Sequence, residues 1–336
     1  MYKDNTVGVV VPAYNEEGFV GEVIDTMPEY VDRVYVIDDA STDGTWWEIR
    51  EYADMVNENH EFVEKIKEEY DFEQKVVPVK HSENKGVGGA IKTGYLLALD
   101  DDIDVTAVMG GDGQMDPDNL HLLIDAIIEG EADYAKGNRL MHYSYRQEMT
   151  KWRFIGNAIL TFLTKVASGY WKTMDPQNGY TAISNYALKN VGIKEMYEGY
   201  GYCNDLLVKL NTKDMKVADV SMEAIYGEEG SDIKYRSYIL NVSWMLANNF
   251  FWRLKNKYFL LDFNPLALFY IVGSVLSGFG VLLALSAIYL RIFRGTNLFM
   301  TGTLALLVFM MGSMFLMFAM LFDMQDNEDK EIQVHE

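Results

Sequence analysis

Cysteine is almost absent: Cys203 is the single one among 336 residues, so the chain forms no internal disulfide and fits a reducing compartment. Histidine is scarce as well, and no Cys/His cluster with zinc-ligand spacing occurs. A P-loop is lacking too, so neither zinc chemistry nor P-loop phosphoryl transfer is indicated. Basic residues are the minority, 29 against 50 acidic, for a formal charge of −21, and no nucleic acid is expected as a partner. Residues 1–6 are polar and lead directly into a strand-like run, so no N-terminal signal peptide is visible. Internal repeats and low-complexity segments are lacking as well.

Charge is also missing from two long stretches. From Pro265 to Leu290 and from Gly295 to Phe322, 26 and 28 successive residues carry none, each enough to cross a hydrocarbon core with some tilt. The pattern predicts a transmembrane hairpin, with Arg253, Lys255 and Lys257 before it, Arg291 and Arg294 in its connecting loop, and an acidic tail from Asp323 to Glu336. The expected organisation is a main domain over 1–232, a juxtamembrane amphipathic segment over 233–262, two transmembrane helices over 263–322, and the tail over 323–336. Without a signal peptide, the main domain is expected on the cytoplasmic face of a multi-pass cell-membrane protein.

The acidic excess is unevenly spread. Between Tyr134 and Lys172 seven basic residues face one acid, Glu148, and between Ile233 and Leu261 there are five and no acid. Both segments carry aromatics, among them Trp152, Phe162, Trp171, Trp244 and Trp252, which is the composition of helices lying against membrane lipids. Half-buried helices with a basic face are the plainer alternative.

Four apolar runs, Val7 to Val11, Arg33 to Ile37, Lys75 to Val79 and Val105 to Met109, alternate with helix-like stretches, which predicts a parallel, three-layer α/β sheet. Ala132 to Lys136 and Val217 to Ser221 are later strand candidates, and residues 54–74 include a charged helical insertion. Each early strand is followed by a polar cluster: Pro12-Ala13-Tyr14-Asn15-Glu16, then Asp38-Asp39-Ala40-Ser41-Thr42-Asp43-Gly44-Thr45, then Glu83 to Ala90, then Gly111-Asp112-Gly113-Gln114-Met115-Asp116-Pro117. In a parallel sheet these four loops share one edge and line one cleft. Taken singly, each has a bland reading, as a helix cap or a tight turn.

The series PAYNE, DDASTDGT, ENKGVGGA, GDGQMDP and GNR, in this order and spacing over roughly residues 6–240, resembles family 2 glycosyltransferases of the dolichyl-phosphate mannose and glucose synthase branch. The resemblance implies a GT-A fold, a nucleotide-sugar donor (GDP-mannose or UDP-glucose), Mg²⁺ or Mn²⁺, and inversion at the anomeric carbon. It further implies that Pro12, Tyr14, Glu16, Asp38 and Asp39 hold the nucleoside, that Lys85 lies near the nucleotide, and that Asp112, helped by Gln114, binds the metal. Arg139 and Arg153 correspond to arginines that meet the phosphate of a polyprenyl or dolichyl acceptor. The loop Asp175 to Tyr180 closes on the sugar, Asp205 stands near the reacting centre, and Tyr226 to Ser231 is an acceptor loop.

The chemistry behind these roles is general. A diphosphate leaving group needs its developing charge neutralised, and a hard cation held by carboxylate and carbonyl oxygens does that. A lipid phosphate is already anionic, so positioning and charge compensation outweigh a general base, and arginine's planar fork suits phosphate. A hydroxyl acceptor on a lipid-linked or polymeric glycan would instead make Asp205 the base. A non-catalytic nucleotide-sugar sensor is the third reading. Two departures from the family pattern stand out: Gly110 occupies a position usually acidic, and the Tyr226 to Ser231 segment has Glu228 and Glu229 but lacks the arginine that mannose synthases carry just before its serine, leaving Lys234 or Arg236 as substitutes. The oligomeric state is not legible.

Overall fold

The computed structural model describes residues 2–58, 72–139, 151–222, 235–261 and 264–334. The Tyr226 to Ser231 loop, with Lys234 and the bulk of the charged insertion, lies outside them. Strands β1 (Val7–Ala13), β2 (Arg33–Asp38), β3 (Val76–Lys80) and β4 (Val105–Val108) are the four predicted runs, and they pair in parallel. Covered on both faces, such strands are apolar throughout rather than alternating. With β5 (Tyr134–Asn138), β6 (Thr181–Ser184), β7 (Val217–Ser221) and β8 (Glu331–Val334) they form one sheet in the order β3-β2-β1-β4-β6-β5-β7-β8.

Two features depart from the expected parallel sheet. Strand β6 runs antiparallel to both β4 and β5. Its four residues, Thr-Ala-Ile-Ser, are too few for a period to register. Strand β8 arises within the predicted acidic tail and pairs in parallel with β7, Val217 opposite Glu331.

Helices α1 (Val20–Asp25), α2 (Thr45–Asn57), α3 (Val87–Asp100), α4 (Leu120–Ile128), α5 (Lys151–Ser168), α6 (Asn185–Asn190) and α7 (Tyr202–Thr212) occupy the connections. Val23, Ile49 and Leu123 of α1, α2 and α4 close one core against the sheet, while Ile91, Leu188 and Leu206 of α3, α6 and α7 close a second core. That is a three-layer sandwich of GT-A type. Gly94 on α3 is required by this packing, since a Cβ there would collide with Val10 of β1.

The chain divides into two compact units, residues 1–249 with 329–336, and Phe250–Glu328. The second holds the end of α8 (Tyr235–Arg253), a π-helical stretch Leu254–Leu261, α9 (Pro265–Arg294) and α10 (Leu298–Asp326). Helices α9 and α10, of 30 and 29 residues, are long and apolar enough to cross a membrane. They run beyond the predicted boundaries. Arg291 and Arg294 sit in the last turn of α9, where cations complement the helix dipole, rather than in the loop. Asn264 and Asn297 cap the two N-termini with their side chains, and Gly295, at φ +65°, closes α9 in the left-handed region.

The two helices meet through small residues seven apart, Gly273, Gly280 and Ala287 on α9, and Ala305, Gly312 and Ala319 on α10, all buried. A Cβ at Gly280 would lie 2.6 Å from the Phe309 amide nitrogen, so the backbones approach as closely as small residues permit. Below this seam Asp323 is fully buried and takes Arg253 in a bidentate pair at 3.0 and 2.7 Å, with Tyr258 donating to it at 2.9 Å. Lys257 is buried too and donates to Asn327 at 3.0 Å. Two of the three basic residues expected just before the hairpin are thus internal: Asp323, read as the start of the tail, pairs with Arg253 from inside α10, and Asn327 accepts from Lys257.

Candidate active site

Strand direction gathers the site. The parallel strands β1 to β4 end at one edge, β5 runs with them and delivers Arg139 there, and antiparallel β6 starts there, so the loop Asp175 to Tyr180 lies at the same edge. All described loops singled out in the sequence therefore converge.

The first two loops are laced together. Asn15, at φ +57°, donates its amide to Ser41 Oγ at 3.0 Å and accepts from the Thr42 amide at 2.8 Å. The Glu16 amide donates to Thr45 Oγ1 at 2.8 Å. Tyr14 stands exposed on this rim, and Pro12 is half-buried, its carbonyl accepting from Gly111 of the fourth loop at 3.1 Å. Asp38 is fully buried, accepts from the Ser41 amide at 2.9 Å and lies 3.2 Å from Lys80 Nζ.

Asp39 organises the third loop. Its carboxylate meets His81 Nδ1 at 2.7 Å and accepts from the amides of Lys85 and Gly86 at 2.9 and 2.8 Å, while His81 Nε2 meets Thr93 Oγ1 at 2.9 Å. Asp39 is thus the brace that shapes the glycine loop, and Lys85 is left exposed on it. Gly86, at φ +81°, and Gly88 press against the backbone of Tyr197 and Glu198, so these glycines serve packing.

Asp112 is half-buried at the end of β4 and accepts from the Gln114 amide at 3.1 Å. Its carboxylate folds over Gly110: a Cβ at 110 would lie 2.9 Å from Asp112 Oδ1. The glycine at this usually acidic position makes room for that rotamer. Among the described residues no group of three His, Cys, Asp or Glu side chains converges as a metal cage. In kind, the Asp112 carboxylate and the side-chain oxygen of Gln114 are hard donors that would suit a Mg²⁺-type cation.

Arg139 is held by Asp175, Nε to Oδ2 at 2.7 Å and a terminal nitrogen to Oδ1 at 3.1 Å, with 38 % of the arginine side chain still exposed. Asp175 is buried and adopts φ +46°. Burial pushes its carboxyl up, but the guanidinium, with Lys136 behind it, more than offsets this and holds it below the usual carboxylate range. Tyr180 ties this loop to the metal turn, its hydroxyl donating to the Asp116 carbonyl at 2.7 Å. Beneath lies a buried ion pair, Lys136 with Asp219 at 2.8 Å, and Asn138 donates to the same carboxylate at 3.0 Å. Lys136, one of the seven residues of the basic segment, is therefore internal rather than lipid-facing.

Asp205 is buried on α7 and braced on three sides, by Lys209 at 2.8 Å, the Tyr197 amide at 2.9 Å and Asn249 at 2.7 Å. Its carboxylate thus joins α7, the Tyr197 backbone and α8. Arg153 falls in the first turn of α5, and its side chain lies outside the described residues. His81, Asp219 and Glu331 escaped sequence reading. A lone acid inside an apolar strand, as in Val-Ala-Asp-Val-Ser of β7, was the available signal for Asp219.

Known proteins match this chain in the same terms. The model of the family described as glycosyl transferase family 2 covers residues 8–192. A UDP-N-acetylglucosamine–dolichyl-phosphate N-acetylglucosaminyltransferase of Methanococcus voltae is 33 % identical over 67 % of this chain and 88 % of that protein. An undecaprenyl-phosphate mannosyltransferase of Micrococcus luteus is 25 % identical over 66 % and 84 %. The fold is similar to that of glucosyl-3-phosphoglycerate synthase from Mycobacterium tuberculosis, a structure solved with Mn²⁺ and UDP, with a TM-score of 0.53 and 17 % identity over 74 % of this chain and 80 % of that one.

Proposed function

Because the chain belongs to glycosyl transferase family 2, we propose that it moves one sugar from a nucleotide sugar to a polyprenyl or dolichyl phosphate, with inversion, at a membrane surface. The observation that carries this reading is the Arg139–Asp175 pair at the edge that also holds Asp112. A bidentately oriented, part-exposed guanidinium beside a turn suited to a metal-bridged diphosphate offers one site for the acceptor phosphate and one for the leaving group.

Asp112 and Gln114 would hold Mg²⁺ or Mn²⁺, which neutralises the diphosphate as it leaves. The rim of Pro12, Tyr14, Glu16, Asp38 and Lys85 takes the nucleotide, with Asp39 shaping the loop behind it. Arg139 and Arg153 take the acceptor phosphate. A glycan hydroxyl acceptor would need a base, and the engagement of Asp205 by three donors speaks against that alternative. Donors named for relatives include UDP-N-acetylglucosamine, which joins GDP-mannose and UDP-glucose as candidates here.

The domain organisation supports the lipid acceptor. Helix α8 buries Val242, Met245 and Leu246 on one face yet exposes Leu240 and Trp244 on another, as an interfacial helix does. Residues on both sides of the hairpin, up to Asn249 and from Asp329, belong to one unit, which is compatible with two crossings that return the chain to the side it left.

The test is transfer of label from GDP-mannose, UDP-glucose or UDP-N-acetylglucosamine into the organic phase by the purified full chain with dolichyl phosphate and Mg²⁺ or Mn²⁺. One labelled lipid is expected. Binding of nucleotide sugar without any labelled lipid would overturn the lipid-phosphate acceptor.

A further inference from the structure

The residues that follow the hairpin reach back into the catalytic unit by more than strand pairing. Glu331, at the start of β8, is 9 % exposed. Its Oε1 accepts from the Trp171 amide at 2.7 Å, and its Oε2 accepts from the amides of Lys172 and Thr173, each at 2.7 Å, and from Thr173 Oγ1 at 3.2 Å. The next amide, Met174, donates to Asp219 Oδ2 at 2.7 Å. The next side chain, Asp175, holds Arg139.

Register explains how five residues come to be held this way. Tyr134 of β5, Val217 of β7 and Glu331 of β8 lie side by side, and Lys136 lies beside Asp219 two residues further along. Side chains of one parity share a face, so Lys136, Asn138, Asp219 and Glu331 form a polar row on one side of the sheet. Trp171 to Asp175 runs along that row from Glu331, past Asp219, to Arg139 at the edge. Its carbonyls are taken as well, Trp171 by Lys165 at 2.7 Å and Met174 by Lys136. A segment with no helix or strand of its own is thereby fixed through its backbone by carboxylates from β7 and β8, the last two strands on that side of the sheet.

We propose that Glu331 is a positioning residue for sugar transfer: by gathering the amides of Trp171 to Thr173 it sets the segment whose end, Asp175, orients Arg139 toward the acceptor phosphate. The inference rests on the acceptor reading of Arg139 given above. Buried amides left without an acceptor carry a desolvation cost, so the segment reorganises when the carboxylate is lost. A displacement of about 1 Å at the guanidinium is enough to cost on the order of a hundredfold in a positioned reaction.

The experiment uses the full chain in detergent, comparing wild type, Glu331→Gln and Gln333→Ala, the last an exposed side chain on the same strand. Glu331→Gln keeps volume and strand pairing but turns an NH₂ group toward backbone N–H groups. Hydrogen exchange at residues 171–175 is expected to rise about tenfold, as for loss of one charged acceptor. The KM for polyprenyl phosphate is expected to rise about tenfold or more, with nucleotide-sugar KM within twofold of wild type and thermal unfolding preserved. Combined with Arg139→Gln, the substitution should add little, since both act through one guanidinium. Gln333→Ala should change none of these. Unchanged exchange at 171–175, or equal losses for donor and acceptor, would overturn the proposal. Failure of the acceptor reading shows separately, as absence of lipid product from the wild type, and exchange then decides the role of Glu331 alone.

Discussion

Arg139 and Asp175 form a two-point pair, at 2.7 and 3.1 Å, between a guanidinium part-exposed at the sheet edge and a carboxylate that is itself buried. The arginine is thus aimed by a partner that does not move with solvent, as the acceptor-phosphate role proposed for it requires.

Asp175→Asn keeps the volume and removes the charge. Its acceptor KM should rise by about tenfold or more at neutral pH while donor KM holds, a split read from initial rates at varied lipid and nucleotide sugar. The sign of the pH dependence follows from the depressed carboxyl. A group whose folded pKa lies below its unfolded value contributes stability above the unfolded value, near pH 4, and loses it as pH falls through the folded one. The stability difference between wild type and Asp175→Asn should therefore stay constant from pH 8 to about 5 and shrink only below about 4, as followed by denaturant unfolding.

Asp112→Ala should remove turnover by a factor of a thousand or more, the scale expected when the compensation of leaving-group charge is lost, while nucleotide binding to the rim of the first three loops persists. Chelator titration reports the same step in wild type. Normal turnover in Asp112→Ala would dismiss the metal site.

Arg253→Ala strands Asp323 without its partner and should destabilise the hairpin unit by about 3–5 kcal/mol. The paired change Arg253→Met with Asp323→Leu should recover much of that loss, because a buried ion pair replaced as a whole costs far less than one broken. Thermal unfolding in a mild detergent separates the two results.

Gly312→Leu places a side chain where the Ser277 backbone lies against α10 and should cost about 1–3 kcal/mol or more by overpacking. Substitution at Gly278, whose Cβ direction is open, should cost little. Comparison of the two by the same melts distinguishes a packed hairpin from two independent spans.

Cutting the chain after Asp262 removes β8 as well as the hairpin, so the product should expose the β7 edge and aggregate. A chain joining residues 1–249 to 329–336 by a flexible linker should remain soluble and bind nucleotide, and size-exclusion chromatography with nucleotide titration checks both.

Much of this was legible in the residues. The four leading strands announced themselves because apolar runs of parallel strands need no alternation, and the hairpin did so by absence of charge. The convergence of the loops that carry Asp38 and Asp112 followed from strand ends sharing an edge, whereas Arg139 stood out by resemblance and reaches that edge because β5 runs parallel to β4. What escaped was non-local. Nothing near Glu331 in the chain names the amides 158 to 160 residues earlier that it gathers, and four residues of Glu-Ile-Gln-Val in an acidic stretch give too short a period to identify a strand. Asp205 stood out by resemblance alone, and the three donors around it, from Lys209, Tyr197 and Asn249, were not legible from its neighbours in the chain. Arg253 and Lys257 looked like lipid contacts because their buried partners, Asp323 and Asn327, lie 70 residues on.

The place of β8 in the sheet also sets an order of events during synthesis. The ribosome releases Glu331 only after both apolar helices have emerged, so the catalytic sheet stays one strand short, with the amides of Trp171 to Thr173 unclaimed, throughout membrane insertion. A newly made chain completes its sheet, and with it the bracing of the segment that ends at Asp175, only after both apolar helices have been made.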